Sequence, residues 1–123
     1  MSLRILVFLT TAVLLVSAFA SDWSFLYRPA TVKYAIYRGG LGDPVAPSKN
    51  EAKVAFEVTG SAAKEIFDAI GPDKADQCSS ESGVRFRSKD ADKLSCTRSS
   101  DVRYSCYFGF DLKSGKSAGG SIC

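Results

Sequence analysis

The sequence contains no histidine among its 123 residues. Histidine is the usual general base near neutral pH and the usual orienting partner of a serine or cysteine nucleophile. Triads that depend on it are excluded, so no catalytic residue is assigned and the chain is not expected to be an enzyme. Carboxylates could still serve as acid and base, but the acidic side chains on the predicted elements are better explained as solvated surface groups.

Long apolar runs are absent after the first 20 residues. Residues 1–4 carry one positive charge, residues 5–16 are apolar except for two threonines, and A-F-A follows at 18–20. This order is typical of a secretory signal peptide cleaved after Ala20. The apolar run is shorter than the roughly 20 residues that span a bilayer. We therefore expect a secreted or periplasmic protein, residues 21–123, with one domain and no membrane span after cleavage.

Cysteine is scarce but even in number. In a short exported chain, four cysteines predict two disulfides. A zinc site is not expected because the cysteines form no close C-x-x-C pair and histidine is missing; no metal or cofactor is assigned. The predicted disulfide residues are Cys78, Cys96, Cys106 and Cys123.

Apolar and polar residues alternate along much of the chain, as they do in half-buried strands. Glycine and proline interrupt the pattern at 39–50, which predicts a loop. Alternate residues from Val102 to Phe110 form an apolar row typical of a central strand. The predicted strands are residues 31–37, 51–59, 83–88, 93–98, 102–112 and a final one at 117–123.

The period changes to that of a helix at residues 61–72. Ser61 is the expected N-cap, and Gly71 with Pro72 ends the helix. A helix this short needs a sheet to cover its apolar stripe. The sequence therefore predicts a small α+β domain: an antiparallel sheet of about five or six strands, with one helix packed on a face and two disulfides.

The tail contains G-K-S at 115–117, which resembles the end of a phosphate-binding loop. That motif requires a glycine at position 110, where the chain has Phe110. The nearest glycine, Gly109, is one residue out of register. The better interpretation is a hairpin turn closed by Gly115 with positive φ. The returning strand would bring Cys123 near Cys106, which favours Cys106 with Cys123 and Cys78 with Cys96. The rival pairing joins Cys96 to Cys106, and spacing does not decide between them.

Basic residues concentrate late in the chain: residues 84–123 carry eight basic and four acidic side chains. If the last strands are neighbours, several cations and one tyrosine are expected to share the open face of the sheet. Such a surface could receive an acidic partner or a polyanion. The alternative is an ordinary solvated face with interleaved aspartates. The candidate partner-binding residues are Arg85, Arg87, Arg98, Arg103, Tyr107, Lys113 and Lys116.

Small exported domains that are held by disulfides and lack catalytic residues most often function by binding. The leading hypothesis is therefore that the protein is a periplasmic or secreted inhibitor or immunity protein that binds a hydrolase or toxin. Exposed segments at 39–47 and 98–103 are expected to enter a cleft of that protein partner. The alternatives are a small secreted hydrolase or nuclease that uses Glu and Arg, and a structural envelope-associated domain without a discrete site.

Overall fold

The computed structural model describes residues 23–75 and 79–122. The predicted signal peptide and the cysteines at 78 and 123 lie outside these ranges. No helix in the described ranges is long and apolar enough to cross a membrane. In chain order the elements are β1 (Thr31–Gly40), β2 (Asp43–Val45), β3 (Lys53–Thr59), α1 (Ser61–Ala69), β4 (Arg85–Lys89), β5 (Leu94–Arg98), β6 (Tyr104–Asp111) and β7 (Ser117–Ala118).

All strands belong to one antiparallel sheet in the order β2-β1-β3-β6-β5-β4, and β7 pairs with β6. This confirms the predicted α+β class. The strand that the sequence did not predict is β2, inside the expected loop at 39–50. Its Pro44 lies opposite Gly39 on β1. Proline is tolerated there because β2 is an edge strand, where a missing N–H breaks no ladder.

The N-cap of the helix lies one residue earlier than the sequence predicted. Gly60 occupies the N-cap position with φ of 74°, and no side chain caps the helix, so the prediction that Ser61 is the N-cap was wrong. Glycine suits this position because its φ lies in the left-handed region. The other end is as predicted: the helix ends at Ala69, just before Gly71 and Pro72.

The core lies between α1 and the centre of the sheet. Phe67 and Ala63 on α1 are buried against Val58 of β3 and the paired Cys96 and Cys106 of β5 and β6. These side chains come together because the helical stripe faces the apolar row of β6 that the sequence predicted. The helix therefore fixes β3, β5 and β6 as one packed unit.

The described disulfide joins Cys96 to Cys106, whose Cα atoms are 4.0 Å apart. The preferred pairing of Cys106 with Cys123 and of Cys78 with Cys96 was therefore wrong, and the rival pairing holds. The register explains the outcome: Cys96 lies directly opposite Cys106 on neighbouring strands, whereas β7 pairs with β6 further along, at Gly109 and Phe110.

The tail forms the predicted hairpin turn. Gly115 has φ of 75°, its N–H donates to the Asp111 carbonyl oxygen at 2.8 Å, and Asp111 N–H donates to the Lys116 carbonyl oxygen at 2.8 Å. The Asp111 carboxylate accepts the Lys113 and Ser114 N–H groups. The pKa of Asp111 is lowered because the Ser114 N–H, and then the Lys113 N–H, stabilise the ionised form.

The apolar row of β1 is not buried as the alternation predicted. Val32, Tyr34 and Ile36 are 46%, 71% and 48% exposed, whereas Tyr37, on the opposite face, is 7% exposed. The physical reason is the length of α1. Its nine residues pack on β3, β5 and β6, so the outer part of the same sheet face is left uncovered.

Candidate functional site

The sequence led us to expect that several of the seven predicted partner-binding residues share one open face. The structure does not place them together. The strand register puts Arg85, Arg87 and Arg98 on the face that α1 covers. Arg87 lies opposite the buried Cys96, Arg98 is two residues from Cys96 on the same strand, and Arg85 lies opposite Arg98. Tyr107 lies on the opposite face, where it lines a small pocket with Lys33, Glu57 and Gly120. Whether any of these residues contacts a partner stays a prediction.

The remaining predicted residues lie at two ends of β6. Arg103 is in the β5–β6 turn, and Lys113 and Lys116 flank the β6–β7 turn. The loop at 41–50 lies at this second end, since Leu112 N–H donates to the Ala52 carbonyl oxygen. The two segments expected to enter a partner's cleft are therefore at opposite ends of the sheet.

Two of the arginines contact the core helix and Asp73. The Arg87 guanidinium stacks 4.2 Å from the Phe67 ring centroid and donates to the Phe67 carbonyl oxygen at 2.8 Å. Arg85 lies 5.3 Å from the same ring. Both donate to Asp73, each at 2.7 Å through Nε. The pKa of Asp73 is lowered to about 2, first by the hydrogen bond from Arg85 and then by that from Arg87.

This ion cluster predicts an acid-sensitive fold. Because the folded-state pKa of Asp73 lies below its ordinary value of 3.8, its contribution is present above that value and is lost as the pH falls towards about 2. We expect Asp73→Asn to lower the urea midpoint of unfolding above pH 4. The difference from the unmodified protein should close as the pH approaches 2.

The matched control for this prediction is Asp43→Asn, because Asp43 makes no ion pair within residues 23–75 and 79–122. The control should leave the urea midpoint unchanged near neutral pH. A midpoint for Asp73→Asn that follows the unmodified protein at every pH from 6 to 2 would contradict the role of the cluster.

Arg98 is placed differently from the other arginines. It pairs across the sheet with Arg85 on one side and Tyr104 on the other. Its Nε is buried and finds no hydrogen-bond partner in the described part of the chain. Arg98 is thus packed beside the helix-covered core, at the base of the β5–β6 turn, and is not a freely exposed cation.

The β5–β6 turn, residues 99–103, is held by hydrogen bonds from its own residues. Ser99 N–H donates to the Arg103 carbonyl oxygen and Val102 N–H donates to the Ser99 carbonyl oxygen, both at 2.9 Å. The Ser99 hydroxyl accepts from Arg103 N–H at 3.0 Å and donates to Asp101. Arg103 Nε donates to Asp101 at 2.7 Å. The turn is therefore fixed by its own short-range network.

The charges of the turn reinforce this network. The pKa of Asp101 is lowered to about 2, mainly because Arg103 donates to its carboxylate and also because Ser99 does. Below the turn, the disulfide between Cys96 and Cys106 joins the two strands that carry it. The turn thus projects from a cross-linked hairpin.

Val102 is the unusual residue of the turn. It has φ of 62°, a left-handed conformation that is a true outlier for a β-branched side chain. Its side chain is 54% exposed, and the neighbouring Arg103 side chain is 82% exposed. Such strain persists only where the surrounding structure imposes it, and it clusters at functional sites.

A pocket of about 750 Å³ lies beside the turn. It is bounded by the turn, the end of β3 and the first turn of α1. Glu57 and Arg103 both line it, which brings a carboxylate and an arginine to one cavity. The lining residues are Glu57, Thr59, Gly60, Ser61, Lys64, Val102, Arg103, Tyr104 and Ser105.

Sequence reasoning found this turn but missed its main feature. The alternation placed Val102 in the strand with Tyr104, whereas β6 begins at Tyr104. Nothing about valine in a sequence indicates a positive φ, since the residue disfavours it. The one usable signal was S-S-D at 99–101, because serine and aspartate bond to nearby backbone in turns.

The fold and the turn define a small α+β domain that displays a cross-linked hairpin with a strained tip. No protein-family model, curated protein or solved structure matches the chain. Its function is therefore argued from its own residues.

Proposed function

We propose that the protein is an exported inhibitor or immunity protein that binds a secreted hydrolase or toxin. The observation that carries this proposal is the β5–β6 turn, where Val102 is strained and exposed on a rigid, cross-linked hairpin. The turn enters a cleft of the partner, with Val102 in an apolar subsite and Arg103 against an acidic rim.

Rigidity supports this proposal because ordering a loop on binding costs about 0.5–1.5 kcal/mol for each immobilised side chain. The turn is already ordered by Ser99, Asp101 and Arg103. Its strands are already joined by the disulfide. An insertion loop built this way loses little freedom on binding, which is the general advantage of preorganisation.

The export part of the proposal comes from the signal-peptide pattern at residues 1–20, and the disulfide between Cys96 and Cys106 is consistent with it. Disulfides persist in oxidising compartments and are rare in the cytosol. A secreted or periplasmic inhibitor would meet its hydrolase or toxin in that same compartment.

The first experiment uses residues 21–123 as bait under oxidising conditions, against secreted and envelope fractions of the source organism, with mass spectrometry of retained proteins. The expected result is one stoichiometric partner that loses hydrolase or toxin activity when bound. Retention of polyanions alone, released by moderate salt, would instead favour an electrostatic surface. Recovery of nothing would contradict the proposal.

The sharpest variant is Val102→Gly. Glycine adopts positive φ freely, so relief of about 1–2 kcal/mol of left-handed strain is offset by its larger chain entropy. We expect the free energy of unfolding to stay unchanged or rise by about 1 kcal/mol. Affinity for the retained partner should fall at least tenfold, because the apolar tip is lost. Titration calorimetry and urea unfolding measure the two effects.

The matched control is Ala91→Gly, at a residue with φ of 50° in the β4–β5 turn. It relieves the same kind of strain at the other end of β5, so it should raise stability similarly and leave affinity unchanged. Equal affinity of the two variants would remove Val102 from the interface.

The pocket beside the turn supports a second candidate, a small hydrolase or nuclease that uses Glu57 and Arg103, which line the same cavity. Arg103 is already paired with Asp101 at 2.6 Å, so it is less available than a dedicated catalytic cation. Turnover of nucleic acid or wall polymer by the purified protein, lost on Glu57→Gln, would favour this candidate.

A further inference from the structure

We propose that a second copy of this chain pairs with the open edge of β1, so that two sheets join into one across a two-fold axis. The outer edge of residues 31–37 makes no strand pair in the described part of the chain, because β2 pairs only with Arg38, Gly39 and Gly40. Its other edge is fully paired with β3.

An open edge of seven residues is unusual. Native proteins usually shorten such edges or protect them with proline, bulges or charged side chains, lysine above all. Within residues 31–37 there is no proline, and Lys33 is the one charged residue. Lys33 lies directly opposite Glu57 on β3, so its cross-strand neighbour within the copy is an acidic side chain.

The register of the joined strands follows from symmetry. Residues 31–37 are centred on Tyr34, so antiparallel pairing about a two-fold axis at Tyr34 uses the whole open edge. It places Val32 opposite Ile36 of the second copy and Lys33 opposite Ala35. A shift of the axis to Lys33 would set like charges face to face, which is destabilising. The axis at Tyr34 thus makes the edge self-complementary over its whole length with no like charges face to face, as an isologous interface requires.

The exposed apolar row explains what the pairing gains. Val32, Tyr34 and Ile36 are about half exposed or more in one copy. Pairing brings each beside an apolar side chain of the second copy, and cross-strand aromatic and β-branched pairs stabilise sheets. The same row was predicted to be buried from its alternation alone.

The test is sedimentation of residues 21–123 over a concentration series up to about 1 mM, where even a complex with a Kd of about 1 mM is substantially formed. The expected result is a concentration-dependent dimer. Hydrogen exchange of backbone amides within residues 31–37 should slow as the dimer forms. Tyr34→Lys places two lysines face to face on the axis, so it should raise the dissociation constant at least about tenfold.

The matched control is Tyr27→Lys, which makes the same change at a residue that is 93% exposed and outside the edge; it should leave the dimer intact. A monomer throughout the series would overturn the proposal. So would a dimer that survives Tyr34→Lys or that is lost in Tyr27→Lys. A monomer whose binding to the retained partner is lost in Tyr34→Lys would assign the edge to that partner instead of to a second copy.

Discussion

Replacing Phe67 with alanine is expected to lower the free energy of unfolding by about 3–5 kcal/mol, the usual cost of deleting a buried aromatic ring. Phe67 is 1% exposed, and its ring contacts the Tyr104 ring edge to face at a centroid distance of 5.4 Å. Arg87 and Arg85 stack on the same ring. Truncation therefore removes the ring that α1 packs against the sheet and on which both guanidinium groups stack.

Urea unfolding followed by far-ultraviolet circular dichroism measures this loss. A small domain has about 5–15 kcal/mol of stability in total, so the variant is expected to lose a large share of its stability. Phe25→Ala is the control, because Phe25 is 73% exposed and surface substitutions usually change stability by no more than about 0.5 kcal/mol. A loss below about 1 kcal/mol for Phe67→Ala would contradict the assignment of the core.

Replacing both Cys96 and Cys106 with alanine is expected to lower the free energy of unfolding by about 3 kcal/mol. The two residues are 10 apart in sequence, and the chain-entropy model assigns about this value to a loop of that size. In addition, both side chains are fully buried against α1, so the removed sulfurs also take packing contacts from the core.

The control for the disulfide is the double variant Thr97→Ala with Ser105→Ala. These residues form the next facing pair on the same two strands, so their truncation changes neighbouring positions without removing a cross-link. The control should lose about 1 kcal/mol or less. If both double variants unfold at the same urea concentration, the cross-link adds nothing to the free energy of unfolding, and the prediction is wrong.

Periodicity was sufficient for the central elements. The alternation of β3, the helical stripe of α1 and the apolar row of β6 each predicted an element that the structure contains, because each of them packs on the core by the face that its period defines. The turn at Gly115 was predictable for a different reason, since few residues other than glycine accept its φ.

Most of the predictions that were wrong share one physical cause: they depend on contacts between residues far apart in the sequence. The choice of Cys96 with Cys106 depends on the register between strands, and the exposure of Tyr34 depends on how far a short helix reaches across the sheet. The strain at Val102 is imposed by Ser99, Asp101 and Arg103 against the preference of valine itself. The cations were assigned to an open face because the sequence does not say which face the helix covers.

In the proposed dimer the two β1 strands pair antiparallel, and this sets how many partner molecules the dimer can bind. The β5–β6 turn lies at the end of the sheet where β1 begins, because Thr31 is opposite Thr59 and Thr59 is opposite Ser105. In two copies joined through β1, the two tips therefore point away from each other. Such an assembly cannot grip one enzyme with both tips, so it would be bivalent and carry one partner molecule at each end.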